Sequence, residues 1–298
     1  MSLHCFNNLL AKFVKKSYLI LLFLTVSYFC QAQRSEIGML MGTSFYLGDL
    51  NSVPFRDAKF AGGLIYRHNF TPRLALRGNI LFGKVAGSDA RNYSRTWDYR
   101  ERGLSFSSPI TEISAQVEVN FLKIYKDADR NRVSPYVFGG AAVFSFNPQA
   151  VFNGITYDLQ PIGTEGQGRF GRPKKYALTS FAIPFGIGFK ANIGRYVCIG
   201  AEWGMRFTFT NYLDDVGGLY YNFSYYEDRM PASIFEVITH FADPSAVKHT
   251  YGSQRYSTLT PDWYSFAGVT VTVRIGNENR TCDLRTNVKL KRKWGRKK

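Results

Sequence analysis

The sequence predicts an all-β chain that closes into an eight-stranded antiparallel transmembrane β-barrel. Three observations lead to this fold: a secretory signal at the start, eight segments with two-residue alternation, and connections between them that alternate between short and long. After the signal, no apolar run is long enough to span a membrane as a helix. If the exported chain is embedded in lipid, it must therefore be a closed barrel, because lipid tolerates no unpaired backbone groups.

The first 32 residues have the organisation of a cleavable signal peptide. Three lysines precede the apolar run SYLILLFLTVSYFC, and the small residues Cys30 and Ala32 follow, so we expect cleavage after Ala32. The apolar run is shorter than the roughly 20 residues that a transmembrane helix needs. Acylation of Cys30, as in a lipoprotein, is the alternative, and the bulky Phe29 before it argues against acylation.

The eight segments alternate apolar and polar residues with the period of a β-strand. In ITEISAQVEVNF, Ile113 and Val117 lie on one face, and Glu112 and Glu118 lie on the other. A soluble sheet would bury the apolar face, whereas a membrane barrel turns it towards lipid. Several segments are 11 to 15 residues long, as expected of tilted transmembrane strands. The segments are 36–47, 60–70, 73–86, 109–123, 134–146, 179–193, 196–210 and 263–275.

The connections between these segments favour the membrane barrel over a soluble sandwich. The short connections contain NFTPR, YKDADRNR and NIGR, and the long ones cover about 48–59, 87–108, 147–178 and 211–262. Short periplasmic turns and long extracellular loops are typical of outer-membrane barrels, with both termini periplasmic when there are eight strands. In the last long connection, MPASIFEVITHFAD predicts a short amphipathic helix, and GLYYNFSYYED is expected to extend the strands.

The polar faces of the segments predict a lumen filled by ion pairs. An eight-stranded barrel has room for side chains and little else, and five cations nearly balance four carboxylates. An ion-selective pore would prefer more strands and one dominant sign of charge. We expect Glu112 and Glu118 to pair with Arg67, Arg77 or other barrel cations. The network comprises Glu36, Arg67, Arg77, Glu112, Glu118, Lys190, Glu202, Arg206 and Arg274.

The net charge of +16 is concentrated at the end of the chain, where the last 23 residues carry nine Lys and Arg against two acids. An exported protein meets little nucleic acid, so anionic lipid headgroups, peptidoglycan or acidic partner proteins are better partners for this segment. The predicted division is a signal peptide 1–32, a barrel 33–275 and a basic periplasmic tail 276–298. The candidate partner-binding residues of the tail are Arg285, Lys289, Lys291, Arg292, Lys293, Arg296, Lys297 and Lys298.

No motif predicts an enzyme, a metal site or a cofactor. DADRNR resembles the start of a calcium loop, but it lacks the Gly at position six and the Glu at position twelve. A barrel enzyme would need a His with a Ser or Asp partner at the outer rim. His240 and His249 lie in the last long connection, without a nucleophile motif beside them. Asp214 and Asp215 could bind a cation or begin a turn, and we favour a structural role in the loop.

Aromatic residues make up 16% of the chain, and four of them are expected at the membrane interface. Trp97 and Tyr99 lie in the second long connection, and Trp263 and Tyr264 lie at the start of the last strand. For Trp263, simple packing is an equally good interpretation.

Seven segments, in this order, resemble the PorG-like family of Bacteroidetes outer-membrane β-barrels, which is associated with type IX secretion and gliding motility. They are EIGMLMGTSFYLGDLN, FAGGLIYRHNFTPRLALRGNILFGKVAGSDA, LSFSSPITEISAQVEVNF, SPYVFGGAAVFSFNP, GTEGQGRFGRPKKYALTSFAIPFGIGFKANI, FTNYLDDV and DWYSFAGVTVTVRI. The resemblance covers nearly all of 36–275 and does not extend to the basic tail. It implies an integral outer-membrane protein, without catalysis, that contacts the periplasmic ring formed by a lipoprotein and its partner in the type IX machinery.

The expected function is therefore a non-enzymatic outer-membrane barrel that anchors or organises a periplasmic secretion assembly. Its expected partners are outer-membrane lipid and periplasmic secretion-machinery proteins, with no nucleic acid and no cofactor. The alternatives are a surface adhesin or ligand-binding barrel acting through its long extracellular loops, and a lipid-modifying barrel enzyme.

Overall fold

The structure is a computed structural model, and it describes residues 35–91, 102–123, 132–169, 172–194, 196–255 and 261–275. The predicted signal peptide, Trp97, Tyr99, residues 127–131 and the predicted basic tail lie outside the described residues. The strands are β1 Ser35–Leu47, β2 Lys59–Asn69, β3 Leu74–Ser88, β4 Ser105–Asn120, β5 Val133–Phe146, β6 Gln149–Phe152, β7 Ile155–Asp158, β8 Thr179–Ile193, β9 Val197–Thr208 and β10 Trp263–Ile275.

The eight long strands close into an antiparallel barrel. They are hydrogen-bonded in the order β3, β2, β1, β10, β9, β8, β5, β4, and β3 pairs with β4 to complete the circle. The closing pair runs from Leu74 opposite Val119 to Ser88 opposite Ser105. Each of these described strands therefore has a partner on both sides, which removes the open edges of the sheet. The predicted eight-stranded barrel is confirmed.

Alternation within the strands sends apolar side chains outward and polar side chains inward. In β4, Ile113 and Val117 are exposed, whereas Glu112, Gln116 and Glu118 are buried. Outward positions of neighbouring strands stand opposite each other, so the exposed side chains form a continuous band. A soluble barrel has the reverse arrangement, and this surface is that of a barrel facing lipid. The band includes Met39, Met41, Leu64, Tyr66, Leu76, Ile80, Val143, Phe185, Ile187, Trp203, Val269 and Val271.

The connections distinguish two ends of the barrel. At the turn end, short connections link β2 to β3, β4 to β5 and β8 to β9. At the loop end, four long connections carry the β6–β7 hairpin and the helices α1 Leu159–Ile162 and α2 Ala232–Ala242. The 3-10 turns Asp89–Arg91 and Ser224–Arg229 also lie there. The hairpin continues the sheet beyond the barrel, because β6 pairs with β4.

Helix α2 forms where the sequence predicts a helix. Pro231 precedes it with a φ of −54°, which already suits a helix, and Ile234, Val237 and Ile238 recur at helical spacing. Ile238 is buried, so this face packs against the rest of the loop end. In the part of the chain that the structure describes, no helix is long and apolar enough to cross a bilayer.

The expectation that GLYYNFSYYED extends the strands is wrong. Ser224–Arg229 is a 3-10 turn, and an isolated bridge joins Leu219 to Gln254. The bridge pairs Leu219, near the start of this segment, with Gln254. The chain then turns into helix α2 at Ala232, so the described residues here do not form a longer pair of strands.

We predict that Ile113→Arg prevents stable insertion, because a guanidinium in the middle of the lipid-facing band costs about 2–4 kcal/mol. Ile113 is 62% exposed and stands between Ile80 of β3 and Val143 of β5. Heat-modifiable gel mobility measures the folded fraction. Ser105→Arg is the matched control on the same face of β4, at the loop end, where the cost falls to about 0–1 kcal/mol. Equal loss in both variants would contradict the assignment of the outer face.

Candidate functional site

A group of buried ion pairs crosses the barrel interior. At its centre, Glu118 accepts a hydrogen bond from Arg67 Nε at 3.0 Å, forms an ion pair with Lys190, and lies 3.7 Å from Arg77 Nη1. These side chains occupy inward positions of β4, β2, β8 and β3. Because β2 and β8 lie on opposite sides of the ring of strands, the central carboxylate joins the barrel across its interior.

Glu36 extends this group on β1. Its Oε2 accepts hydrogen bonds from Arg67 Nη1 at 2.8 Å and from Thr272 Oγ1 at 2.9 Å. Its Oε1 lies 3.5 Å from Arg274 Nε and accepts a bond from Asn69 Nδ2 at 3.1 Å. The carboxylate is therefore held by β2 and β10, the strands on either side of β1.

Glu202 extends the group on β9. Arg77 donates two parallel hydrogen bonds to it, from Nη1 at 2.7 Å and from Nη2 at 3.0 Å, which is the strong bidentate geometry. Tyr136 donates its hydroxyl to the same carboxylate at 2.7 Å, and the ring of Phe138 lies 4.2 Å from the Arg77 guanidinium carbon. The charges in this region are paired, as buried charges must be to be tolerated.

Glu112 belongs to a separate pair. It accepts a hydrogen bond from Arg206 Nε at 2.9 Å and another from the hydroxyl of Tyr264 at 2.9 Å. The expectation that Tyr264 lies at the membrane interface is therefore wrong: its side chain is fully buried in the interior. Trp263, one residue earlier, is on the opposite face and packs edge-on against Phe185 and Phe207.

All nine residues of the sequence-derived network lie inside the barrel, in these two groups. Glu118 contacts Arg67 and Arg77, and Glu112 contacts Arg206, one of the other barrel cations of the predicted network. Aromatic rings occupy much of the remaining interior, including Phe138, Phe144, Phe146 and Phe266. The sequence did not distinguish these rings from lipid-facing ones, because both faces of β5 carry apolar residues.

The long connections form a second polar cluster, the loop cap, over the loop end. Its eight charged members are buried, come from all four long connections, and comprise six carboxylates and two guanidinium groups. They are Asp49, Asp89, Arg102, Glu165, Asp214, Asp215, Arg255 and Asp262.

The hydroxyl of Tyr46 in β1 contacts three of these residues, two through their carboxyl groups and Asp49 through its backbone amide. It lies 2.5 Å from Asp214 Oδ2 and 2.8 Å from Asp262 Oδ1, and it accepts a hydrogen bond from the Asp49 amide at 2.7 Å. A hydroxyl carries one proton and can donate to only one carboxylate at a time. Burial, followed by repulsion from neighbouring carboxylates, raises the pKa of Asp214 and the pKa of Asp262 well above their usual range. A proton held on one of the two carboxyls satisfies the second contact.

Arg255 holds the third and fourth long connections together. Its Nη1 donates to the backbone oxygen of Asp215 at 2.6 Å and to Glu165 Oε1 at 3.2 Å. Thr164 and Tyr176 donate their hydroxyls to the Asp215 carboxylate at 2.5 and 2.6 Å. Burial raises the pKa of Asp215 to about 6, although Arg255 acts against this shift.

Arg102 connects the second long connection to the fourth. It makes a bidentate pair with Asp89, at 2.8 Å from Nε and 2.7 Å from Nη2, and donates from Nη1 to the backbone oxygen of Arg255 at 2.5 Å. With Tyr46 contributing the first connection, all four long connections are tied together at one end of the barrel.

Sequence reasoning placed Asp214 and Asp215 in a structural loop role but did not identify their partners. Tyr46 and Asp262 are 216 residues apart, and Arg102 and Arg255 are 153 apart. A local pattern carries no signal for contacts over such separations.

One cluster at the loop end contains the residue types that a barrel enzyme would need, a His beside an Asp and a Ser. His249 Nδ1 lies 3.1 Å from both carboxylate oxygens of Asp243 and 3.2 Å from Ser245 Oγ. Both partners contact the same ring nitrogen. In a catalytic triad, the histidine contacts the nucleophile through one ring nitrogen and the acid through the other. Ser245 Oγ is already bonded to Asp243 and to the Val247 carbonyl, so these contacts hold a turn.

The described ranges contain no candidate metal site. Among those residues, no group of three or more His, Cys, Asp or Glu is arranged to hold a metal ion. His240 instead packs against Phe152 in a tilted arrangement, with ring centroids 4.1 Å apart. Burial, with help from Lys248, lowers the pKa of His240.

We predict that Glu202→Leu lowers the free energy of unfolding by about 3–5 kcal/mol, because it leaves Arg77 buried without its bidentate partner. The double variant Arg77→Leu/Glu202→Leu should recover much of the loss, because it removes both charges from the interior. Urea unfolding of the barrel in lipid vesicles, followed by tryptophan fluorescence, measures both changes. A double variant no more stable than Glu202→Leu would show that the unpaired cation is not the cause.

We predict that the loop cap loosens as pH rises. In an opened cap the carboxyls regain a pKa of about 4, so above about pH 4 the closed cap binds more protons than the open one. Its stability falls as pH increases through the raised pKa values, which for Asp215 is about 6. Hydrogen exchange of the amides of residues 213–218, corrected for the intrinsic rate, should be faster at about pH 8 than at about pH 5.

Asp262→Asn is the control for this pH effect. Its amide keeps an uncharged group beside Tyr46 and removes one titrating carboxyl, so the pH dependence of exchange should become weaker. Protection that is independent of pH in the unmodified chain would exclude proton binding as a stabilising factor in the cap.

Several solved structures resemble this fold. Ail, the attachment invasion locus protein of Yersinia pestis, matches at 11% identity and a TM-score of 0.37, over 82% of this chain and 99% of that chain. The N-terminal β-barrel domain of Pseudomonas aeruginosa OprF matches at 10% identity and a TM-score of 0.34, over 82% of this chain and 98% of that chain. Neisserial surface protein A matches at 10% identity and a TM-score of 0.36, over 81% of this chain and 96% of that chain.

Sequence comparison assigns the family. No curated protein sequence matches the chain significantly. A family model described as "Domain of unknown function (DUF6089)" matches residues 15–226. This match spans more than half of the 298 residues, and the chain therefore belongs to the DUF6089 family.

Proposed function

We propose that this chain is a non-enzymatic, non-conducting integral barrel of the outer membrane. The observation that carries the proposal is the filled interior, where ion pairs and aromatic rings occupy the barrel below the buried loop cap. An aqueous channel would need an open polar path through the same space. The apolar outer band and the signal-like first 32 residues support an outer-membrane location. In this orientation the turn end and both termini face the periplasm.

We further propose that the barrel anchors a periplasmic assembly of the type IX secretion machinery. The support is the sequence resemblance to PorG-like barrels, together with the basic composition of residues 276–298. A barrel whose described interior is held by paired charges suits an anchor, because such pairing keeps its strands in one arrangement. The partner would be the ring formed by a lipoprotein and its companion protein, and the tail favours an acidic surface on it.

Binding through the loop end is the second candidate function. The observation that favours it is the mutual connection of the long loops through Arg102, Arg255 and Tyr46. Preordered loops lose little conformational freedom on binding, which favours recognition of a ligand or a surface. A lipid-modifying enzyme has less support, because His249 has both of its polar partners on one nitrogen.

Two measurements test the non-conducting anchor. In planar bilayers, we expect the purified barrel to give no stable channel currents, because its interior is packed; sustained single-channel steps would contradict this.

In cells, cross-linking and pull-down should recover periplasmic proteins with the intact chain. Lys289→Gln/Lys291→Gln/Lys293→Gln should reduce recovery, since it removes three charges from the tail.

The control neutralises two exposed lysines at the loop end, in Lys174→Gln/Lys248→Gln. Recovery should persist in this variant. If the loop-end variant loses the partners and the tail variant keeps them, anchoring through the tail is excluded and binding through the loop end is supported. Such local substitutions are preferable to trimming the last long connection, because trimming would also remove Arg255 and disrupt the cap.

A further inference from the structure

An apolar groove of about 470 Å³ lies at the loop end, between helix α2 and the segment formed by β7 and α1. The α2 wall is made by Ile234, Val237, Ile238 and Ser233, and Tyr157, Pro161 and Ile162 form much of the opposite wall. Its volume falls within the range of small-molecule sites. The aliphatic wall is accessible, since Ile234 is 50% exposed.

Arg169 is the charged residue of the groove lining. Its guanidinium carbon lies 4.9 Å from the ring centroid of Phe223 and 4.6 Å from that of Tyr226, so aromatic faces hold it in place. Its Nε is buried and makes no hydrogen bond within the described part of the chain. Within those same ranges, no carboxylate forms an ion pair with it. The side chain as a whole is partly exposed, so the rest of its guanidinium can pair with an anionic ligand in the groove.

Two further features make the same groove electropositive. The first turn of α2 contributes Ser233 and Ile234 to the lining, and its N-cap residue, Pro231, makes no side-chain capping bond. The amino end of a helix carries unpaired amides and partial positive charge. Lys175 Nζ also lies 2.6 Å from the carbonyl oxygen of Pro161, a lining residue. Among the residues that the structure describes, the groove lining contains no acidic side chain to oppose these charges.

The geometry points to a binding site for a long-chain fatty acid. The alkyl chain lies along Ile162, Ile234 and Val237, and the carboxylate lies beside Arg169 and the amino end of α2. A peptide fits less well, because the hydroxyls of Tyr157 and Ser233 cannot satisfy a row of backbone amides. One alkyl chain also suits a single narrow groove better than the two chains of a diacyl lipid. This site is independent of the proposed anchoring role.

The test uses a photoreactive palmitic acid analogue with a diazirine near the end of its chain. The full-length barrel is reconstituted in phosphatidylcholine nanodiscs, illuminated with the probe, and digested for mass spectrometry. We expect labelling on the peptides that contain Ile162 and Val237. Unlabelled palmitic acid should compete, whereas hexadecanol, which lacks the carboxylate, and phosphatidylglycerol, which has two chains, should compete poorly.

Arg169→Gln should reduce the competed labelling by about tenfold or more, because it removes the charged donor. Arg229→Gln is the matched control, since Arg229 also stacks on a tyrosine, at 3.8 Å from the ring centroid of Tyr225, but does not line the groove. Ile234→Glu, at an exposed position, places a negative charge in the groove and should abolish labelling even if Arg169→Gln folds poorly. Heat-modifiable mobility verifies folding of each variant.

Several outcomes would overturn the fatty-acid site. Labelling confined to the lipid-facing band would mean that the probe reports only the membrane. Equal competition by hexadecanol would remove the role of the carboxylate, and equal competition by phosphatidylglycerol would assign the groove to membrane lipid. Absence of palmitate labelling, or equal labelling in Arg169→Gln and Arg229→Gln, would leave Arg169 without the proposed ligand.

Discussion

Closure of the sheet between β3 and β4 is the constraint on which the rest of the molecule depends. A chain whose outer surface meets lipid cannot leave a row of backbone groups unpaired, so the last strand pair has to form. Once it forms, every inward side chain of eight strands shares one narrow space. The charges, the aromatic interior and the position of the loops all follow from this closure. The same constraint explains the long strands, because each has to cross the lipid at a tilt.

Pairing is the only inexpensive way to keep charges inside such a barrel. Glu118 with Arg67, Glu202 with Arg77 and Glu112 with Arg206 place carboxylates against cations from other strands. Buried pairs of this kind often contribute little net stability, but removing one partner is costly. Their effect is therefore to select one strand register: a shift by one residue would turn the charges towards lipid. Aromatic rings occupy space between them and leave little room for an ion path.

The loop end differs from the barrel interior in its charge balance, and it lies outside the lipid-facing band. Its six buried carboxylates outnumber its two buried guanidinium groups, so protons as well as cations contribute to holding it. Tyr46 connects the barrel to this cap through Asp214 and Asp262, which couples loop order to the barrel interior. An ordered cap also creates a defined surface, including the groove beside α2, where mobile loops would present none. The turn end, by contrast, has short connections between its strands.

The sequence by itself determined the eight strands, their faces, the two unequal ends and helix α2, because each depends on a repeat that is visible within a few residues. It also identified the charged residues that enter the lumen, since inward and outward positions alternate, but not the aromatic ones. Only the tertiary structure decided which charges meet: Arg206 rather than Arg67 contacts Glu112, and Tyr264 lies inside rather than at the interface. It also decided the loop cap, where Tyr46 and Asp262 meet across 216 residues. The physical reason is that closure brings distant strands and loops together, and a local period contains no information about which distant side chain will be opposite.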